Sequence, residues 1–313
     1  ICEADEYVTD PEQARQGQNF KPRFSYLNPY LSVCTNLKFD HPDVYRNLDQ
    51  TEQTFRKFFE NTQKQGFLII NGDDDNILAA LDEPALQQRI EDHILNLISF
   101  GQKTTNDWQL TDYQVGSGFS LSKIKFLEED YQLKLKIPGK YNALNALAAI
   151  AACAQIGIKP EESIEALAKF KSTMRRFEQV GIKDGVIYYD DYAHHPHEVK
   201  QTIEALKQWH PHKKRVIAFQ PHTYSRTKKL FDQFVDALGT AENVVLIDIF
   251  SSAREKYDPT VSSDKLAQAV QAKYPQTQIS NLKTIKSLAD YCQNQLERDN
   301  VLITVGAGDI YKV

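Results

Sequence analysis

The chain has 313 residues, of which 41% are hydrophobic and 25% are charged, and its formal net charge is −5 at pH 7. This length predicts two domains, and the composition is typical of a globular protein. The negative charge argues against a protein that binds nucleic acid regardless of sequence, because such proteins need a basic surface. No apolar run approaches the roughly 20 residues of a membrane span, and no leader is recognised. Four widely separated cysteines favour a reducing, cytoplasmic setting.

The first half of the chain alternates apolar runs with polar loops. Leu31–Thr35 and Phe67–Ile70 have the composition of buried strands, and Ile98–Phe100 predicts one more. Strand, loop and helix in repetition predict a mostly parallel sheet. Gly116–Leu127 and Tyr131–Ile137 are rich in strand-forming residues, and the second of them alternates apolar with polar residues. This pattern predicts an antiparallel hairpin.

Helical and strand patterns continue through the second half of the chain. The alanine- and leucine-rich segment Asn142–Ile156 predicts a helix, and Pro160–Phe170 predicts another. After Arg176, apolar strand runs recur at intervals of about thirty residues, the length of a βαβ unit, which predicts a Rossmann-like domain. We therefore expect an α/β protein with one domain over residues 1–174 and a second over residues 175–313.

The stretch Tyr188–Glu198 concentrates carboxylates and imidazoles between an apolar run and the helical pattern Pro196–Trp209. We expect these side chains in a turn from strand to helix, since ligands of open α/β sheets bind at the carboxyl ends of strands. A polar surface turn is the alternative for any one of these residues. The three histidines at 194, 195 and 197 have no zinc spacing, so a metal site is not expected there.

Three further segments have side chains suited to binding. Phe219–Thr227 carries an arginine where a strand runs into a helix, an arrangement that can hold a phosphate or an oxyanion. Asn142 and Asn145 share one helix face, although capping and solvent exposure also explain them. Glu3–Glu6 and Asp40-His41 are expected where strands end. There a carboxylate and an imidazole can share a divalent cation, although acidic loops are common.

Several of these segments carry a family resemblance. Asp190–Pro196, which reads DDYAHHP, resembles the C-terminal-domain signature of the Mur ligases, ATP-dependent enzymes that add amino acids to the peptidoglycan precursor. Glu3–Glu6 followed by Thr35-Asn36 and Asp40-His41 resembles their central domain in order and separation. Phe219–Thr227 is most similar to the member that joins L-alanine to UDP-N-acetylmuramate, and differs from the member that recycles a tripeptide.

The resemblance implies an ATP- and Mg²⁺-dependent amide ligase whose partners are UDP-N-acetylmuramate and L-alanine. The reaction would pass through an acyl phosphate in the cytoplasm, without a nucleic acid or a membrane as partner. The oligomeric state stays open. The alternatives are a tripeptide-recycling or other Mur-type amide ligase, and a non-catalytic module that binds a nucleotide or a partner.

The resemblance also assigns roles to residues of the first domain. It implies that Glu3 and His41 bind Mg²⁺ near the γ-phosphate of ATP, with His41 among the catalytic residues. It implies that Asn142 and Asn145 hydrogen-bond the adenine, as amides can match both a donor and an acceptor on the base. The family motif has a histidine where this chain has Tyr141, so a role for that position is not carried over.

In the second domain, the resemblance implies that Arg176 and Asp191 are catalytic residues that contact ATP, with Asp191 on the ribose hydroxyls. It implies that Arg226 binds the substrate and that His194 lies near the incoming alanine. Some family members have a second arginine where this chain has Thr223. One cationic contact to the substrate is therefore expected to be missing.

One element of the family pattern does not occur in this sequence. Gly139-Lys140 is the only glycine–lysine pair, and it lacks both the spaced glycine and the following serine or threonine of a phosphate-binding loop. Mur ligases hold the ATP phosphates on such a loop, upstream of the acidic Glu3–Glu6 segment. We therefore expect the chain to be the latter part of a central ATPase domain plus a C-terminal domain. By itself it is expected not to form the amide.

Overall fold

The chain folds into two compact units, which a computed structural model describes for residues 1–18, 20–252 and 255–313. Unit 1 consists of Ile1–Gln114, Ser120–Leu135 and Lys140–Phe170, and unit 2 consists of Val115–Phe119, Lys136–Gly139 and Lys171–Val313. Each unit contains one six-stranded sheet with helices, which confirms the predicted α/β fold class. Over the described ranges, no helix has the length and apolar character needed to cross a membrane.

Unit 1 is built on a sheet with the strand order β1-β2-β3-β4-β5-β6. Its elements are α1 (Pro11–Arg15), β1 (Leu31–Cys34), α2 (Leu48–Glu60), β2 (Gly66–Asn71), α3 (Asp75–Leu81), α4 (Pro84–Glu91), β3 (Leu95–Gly101), β4 (Trp108–Gly116), β5 (Phe119–Phe126), β6 (Glu129–Leu135), α5 (Lys140–Ala154) and α6 (Pro160–Leu167). Strands β1 to β4 run parallel, and β5 and β6 are antiparallel. The predicted hairpin is therefore confirmed, whereas β4 was not predicted from the sequence.

The core of unit 1 lies between the parallel strands and the helices that cover them. Phe58 and Phe59 of α2 pack in one cluster with Leu68 and Ile70 of β2. Helix α5 lies against β1, β2 and β3. Its buried face is mostly alanine, which lets the helix approach the sheet closely. The helix begins two residues before the predicted Asn142, and α6 ends at Leu167 instead of at Phe170.

Unit 2 has the strand order β11-β10-β9-β12-β8-β7. Its elements are β7 (Glu178–Lys183), β8 (Val186–Asp191), α7 (Pro196–Trp209), β9 (Lys214–Phe219), α8 (Tyr224–Lys229), α9 (Phe231–Leu238), β10 (Asn243–Ile247), α10 (Ser263–Lys273), β11 (Gln278–Lys283), α11 (Ile285–Asn294) and β12 (Asn300–Val305). All neighbouring strands run parallel except β7, which is antiparallel to β8. The central strand β12 is buried along its whole length, as is usual for a parallel sheet covered on both faces.

One predicted boundary in unit 2 needs correction. Asp190 and Asp191 are not in the turn but are the last two residues of β8, where they pair in register with Thr304 and Val305 of β12. The strand continues through two carboxylates because both of them have hydrogen-bond donors in the folded chain. Helices α8 and α9 follow β9 and meet at Leu230.

Helix α7 has the predicted bounds. Local residues explain its N-cap and its first helical position. His195 is the N-cap and accepts a hydrogen bond from the N–H of His197 at 3.2 Å, and Pro196 occupies the first helical position. The Glu198 carboxylate accepts from the N–H groups of His194 and His195 at 3.0 and 3.1 Å. This capping box satisfies N–H groups that would otherwise be unpaired at the helix start.

The end of α7 holds a histidine that is neutral in the folded chain. The Nε2 atom of His210 lies 2.9 Å from the Tyr189 hydroxyl. Burial, followed by the charges of Lys213 and Arg215, lowers the pKa of His210 to about 4. An unfolded histidine titrates near pH 6.5. Between these two values the unfolded chain binds more protons, so this stabilisation is present above pH 6.5 and is lost as the pH falls towards 4.

We predict that His210→Gln removes this pH dependence while keeping a side chain that can hydrogen-bond Tyr189. The free energy of unfolding of wild type minus that of the variant should shrink as the pH falls from about 7 to about 4.5, because only the wild type has a titrating group there. Denaturant unfolding at several pH values measures this difference. His212→Gln is the control, since His212 is exposed and two residues away. A difference that stays constant over this range would contradict the prediction.

Candidate active site

The carboxyl ends of β8, β9 and β12 lie together at one edge of the unit 2 sheet, here called the C-edge. The N–H of Gly306 donates to the carbonyl of Asp191, and the N–H of Gln220 donates to the carbonyl of Val305, each at 3.0 Å. These bonds join the segments that follow the three strands. Gly306 has φ +149°, and an added Cβ would lie 2.7 Å from the Gln220 carbonyl, so this close approach requires glycine.

Asp191, which the sequence predicts as a nucleotide contact, is 4% exposed. Its Oδ1 accepts from the N–H of Ala193 at 2.8 Å, and its Oδ2 accepts from the N–H of Phe177 at 3.2 Å and from the Thr202 hydroxyl at 3.3 Å. Burial raises the pKa of Asp191 to about 6, against the opposing effects of the Ala193 N–H and the charge of Arg176. Through these hydrogen bonds the carboxylate ties the segments on both sides of it to the end of β8.

The neighbouring Asp190 is 3% exposed and has different partners. Consecutive strand residues point to opposite faces of the sheet. The Asp190 Oδ2 accepts from Nε of Arg175 at 2.9 Å, and its Oδ1 accepts from the Thr304 hydroxyl at 2.5 Å. Arg175 Nη2 also donates to the carbonyl of Gly306 at 2.6 Å. Arg175 was not predicted as a site residue. The one feature of the sequence that could have indicated it is its position beside Arg176.

Arg176, predicted to contact ATP, is exposed next to this ion pair. Its guanidinium carbon lies 5.4 Å from the centre of the Tyr192 ring. The N–H of Arg176 donates to the Thr173 carbonyl at 3.2 Å. An exposed guanidinium with its planar set of donors is suited to an anionic ligand at the C-edge.

His194, predicted to lie near the incoming amino acid, is half-buried at the C-edge. Its Nδ1 is 3.0 Å from the carbonyl of Tyr192, and its ring meets the rings of Tyr192 and His222 edge-on at 5.3 and 6.2 Å between centres. His195 is the buried N-cap of α7, and His197 is exposed. Within residues 1–18, 20–252 and 255–313, no three His, Cys, Asp or Glu side chains form a group that could hold a metal.

Arg226, predicted to bind the substrate, is 4% exposed. Its Nη1 lies 3.1 Å from Nδ1 of His222, whose ring stacks on Phe250 with 5.6 Å between centres and 13° between planes. A guanidinium has only donors, so the neutral imidazole accepts at Nδ1 and carries its proton on Nε2. His222 is thus a C-edge residue that was not predicted from the sequence. Thr223, where the family varies, caps α8 by accepting from the N–H of Arg226 at 3.4 Å.

In unit 1, His41 lies in the loop after β1 and contacts the acidic N-terminal segment. Its backbone has φ +56°. Its Nε2 is 3.1 Å from Glu6 Oε1 and 3.9 Å from Asp40 Oδ2, and its ring centre is 4.8 Å from that of Tyr7. Glu3, the predicted partner of His41, is exposed. Glu6 is therefore a carboxylate beside His41 that was not singled out in the sequence, although it belongs to the same acidic run.

Asn142 and Asn145 lie in the first two turns of α5 on the side away from the buried face. Asn142 is half-buried and Asn145 is exposed, while Ala143 and Leu147 between and after them are buried. The three-residue spacing places both amides on one side of the helix, as the sequence predicts. Their arrangement is compatible with contacts to a flat polar ligand.

Residues 12–153 match the family model described as the Mur ligase middle domain, and residues 175–308 match that of the Mur ligase, glutamate ligase domain. The chain belongs to the Mur ligase family. Among curated proteins it is similar to UDP-N-acetylmuramate–L-alanine ligases. The identity is 39% over 296 residues with that of Clostridium acetobutylicum, covering 94% of this chain and 62% of the relative. It is 35% over 292 residues with that of Caldanaerobacter subterraneus subsp. tengcongensis, covering 93% and 61%.

The chain therefore spans about three fifths of the length of these relatives. Solved structures show the same fold at lower identity. A UDP-N-acetylmuramate–alanine ligase from Thermotoga maritima matches with a TM-score of 0.71 and 23% identity, over 94% of this chain and 62% of that one. A murein peptide ligase from Psychrobacter arcticus matches with a TM-score of 0.63 and 17% identity, over 93% and 57%.

We predict that Asp191→Asn destabilises unit 2, because the amide would turn one acceptor oxygen into a donor that faces other donors. Leaving a buried group unsatisfied costs about 1–3 kcal/mol. Chemical denaturation of the chain measures the loss of unfolding free energy. Asp184→Asn is the matched control, since Asp184 is exposed in the turn between β7 and β8. If both variants unfold at the wild-type midpoint, the hydrogen bonds assigned to Asp191 do not contribute as described.

Proposed function

We propose that the complete protein is an ATP-dependent amide ligase of peptidoglycan precursor synthesis, joining L-alanine to UDP-N-acetylmuramate. ATP would phosphorylate the carboxylate of UDP-N-acetylmuramate, and the alanine amine would attack the resulting acyl phosphate to release phosphate. The observation that carries the proposal is the similarity, along nearly the whole chain, to relatives named for this reaction. A cytoplasmic location is part of the proposal, since this precursor is a nucleotide-activated sugar.

The nucleotide contacts belong to this proposal. In unit 1, Asn142 and Asn145 would hydrogen-bond the adenine from the exposed side of α5. In unit 2, the exposed guanidinium of Arg176 would neutralise charge on the phosphates. Asp191 is buried and accepts from three donors, so a contact with the ribose requires that its carboxylate become accessible. Charge stabilisation and positioning supply most of the catalysis in a phosphoryl transfer.

The amino-acid contacts would lie at the C-edge. Arg226 would bind the anionic substrate together with His222, whose ring it contacts. His194 would lie beside the incoming amine. Rings that pack against each other hold these polar atoms in place, which favours a defined substrate geometry.

We place the domain boundary between Met174 and Arg175, since the first family model ends at residue 153 and the second begins at residue 175.

Mg²⁺ is the proposed metal, with Glu3 and His41 as its protein contacts. Proteins bind Mg²⁺ through one or two carboxylates together with substrate phosphates and water, so a closed cage of side chains is not needed. The carboxylates of Glu6 and Asp40 lie next to the His41 imidazole and add negative charge beside this contact, without forming a closed set of ligands. When bound, the ion would neutralise charge on the transferred phosphoryl group. The residues of unit 1 would orient the imidazole and carboxylates around it.

We predict that the protein made from its complete gene releases phosphate with ATP, Mg²⁺ and UDP-N-acetylmuramate only when L-alanine is supplied. Phosphate release and product mass follow the reaction. The tripeptide offered instead of L-alanine tests the recycling ligase, and its use in place of L-alanine would overturn the proposal. ATP binding without turnover of either acceptor would favour a non-catalytic module. The 313-residue chain is a further arm, in which sustained turnover would contradict the need for a separate phosphate-binding loop.

We predict that His41→Ala in that protein raises the Mg²⁺ concentration needed for half-maximal activity more than it lowers the melting temperature. His93→Ala is a matched control, because His93 is exposed and has the same φ of +56° in the same unit. Both variants lose a histidine from a left-handed backbone position, so their shared strain cancels in the comparison. A large loss of melting temperature, with activity that does not respond to added Mg²⁺, would make His41 a structural residue.

A further inference from the structure

We propose that Arg175 is a positioning residue whose ion pair with Asp190 presents Arg176 to the nucleotide. The inference rests on the proposed function, in which Arg176 contacts ATP. It divides the adjacent arginines into two roles, one structural and one ligand-binding. Residue type does not distinguish the two arginines, but their surroundings in the folded chain do.

The guanidinium of Arg175 is hydrogen-bonded within unit 2 and lies near two aromatic rings. Its Nε donates to Asp190 at 2.9 Å and its Nη2 donates to the carbonyl of Gly306 at 2.6 Å. Its central carbon lies 4.9 Å from the ring centre of Tyr192 and 4.4 Å from that of Tyr311. A planar group with directional donors makes this combination, and a lysine cannot reproduce it. Arg175 is therefore bound within unit 2 through donors on two of its three guanidinium nitrogens.

The backbone beside Arg176 is fixed on both sides. The carbonyl of Arg175 accepts from the N–H of Tyr192 at 2.7 Å, and the N–H of Phe177 donates to Asp191 at 3.2 Å. Arg175 and Phe177 have φ +58° and +48°, in a left-handed region that side chains other than glycine seldom adopt. Such a conformation persists where surrounding contacts hold it. Phe177 is 3% exposed, whereas Arg176 between these residues is exposed.

The Tyr192 ring connects the two guanidinium groups, since it lies near Arg175 and also 5.4 Å from the central carbon of Arg176. Two cations so close to one ring would repel each other. Asp190 offsets the charge of Arg175, and its second oxygen is fixed by Thr304. Because the charge of Arg175 is offset by this ion pair, the charge of Arg176 is the one that faces an incoming anion.

The test measures KM for ATP, kcat and melting temperature in the protein made from its complete gene. Arg175→Lys and Asp190→Asn should each raise KM for ATP roughly tenfold, the size of one lost charge-assisted contact. In an Arg176→Ala background the same changes should raise KM less than about twofold, because there is no longer a guanidinium to present. Tyr311→Leu should act in the same direction but more weakly. It removes one ring at a 50% exposed position, so folding should survive.

Arg215→Lys is the matched control. Arg215 makes a comparable set of bonds to the carbonyls of His210 and Pro211 and to Glu242, at the opposite end of β9. It should lower the melting temperature while KM for ATP stays at the wild-type value. If Arg175→Lys raises KM equally with and without Arg176, the positioning role is wrong although the proposed function stands. If Arg176→Ala itself leaves nucleotide use unchanged, the nucleotide assignment fails together with the inference.

Discussion

The paired burial of Asp190 and Asp191 at the end of β8 is the constraint on which the C-edge depends. A buried carboxylate is tolerated only when donors replace the water that it loses. Asp190 obtains them from Arg175 and Thr304, and Asp191 obtains two of them from backbone N–H groups. Adjacent strand residues face opposite sides, so the two carboxylates tie different segments to one strand end. The positions of the exposed groups around them follow from this arrangement.

The site residues divide into those that are fixed and those that are exposed. In unit 2, Arg226 is buried against His222, while Arg176 is exposed beside the Tyr192 ring. In unit 1, Glu6 pairs with His41 and leaves Glu3 at the surface. A catalyst of phosphoryl transfer needs its charges placed before the reaction, which such supporting contacts would provide under the proposed function. Under the proposed function, side chains without a role in the chemistry would set the geometry of those that have one.

Local signals allowed the sequence to predict what depends on neighbouring residues. Helix α7 was predicted with its correct bounds because Pro196, Glu198 and a regular apolar stripe all lie within it. The end of β8 was missed because two aspartates extend a strand only if partners exist, and Thr304 is 114 residues away from Asp190. Arg175 and Arg176 have the same side chain, and only the folded structure distinguishes their surroundings. Family resemblance predicted the site residues by type, but neither the burial of Asp191 nor the contact between Glu6 and His41.

The central claim is that the complete protein activates a carboxylate by phosphorylation before the amide forms. The most direct test uses UDP-N-acetylmuramate whose lactyl carboxylate carries heavy oxygen. It is incubated with ATP, Mg²⁺, L-alanine and the protein made from its complete gene, and the released phosphate is analysed by mass spectrometry. An acyl phosphate transfers one carboxylate oxygen to the phosphate when the amine displaces it, so singly labelled phosphate is the expected result. Unlabelled phosphate accompanied by amide product would contradict the account.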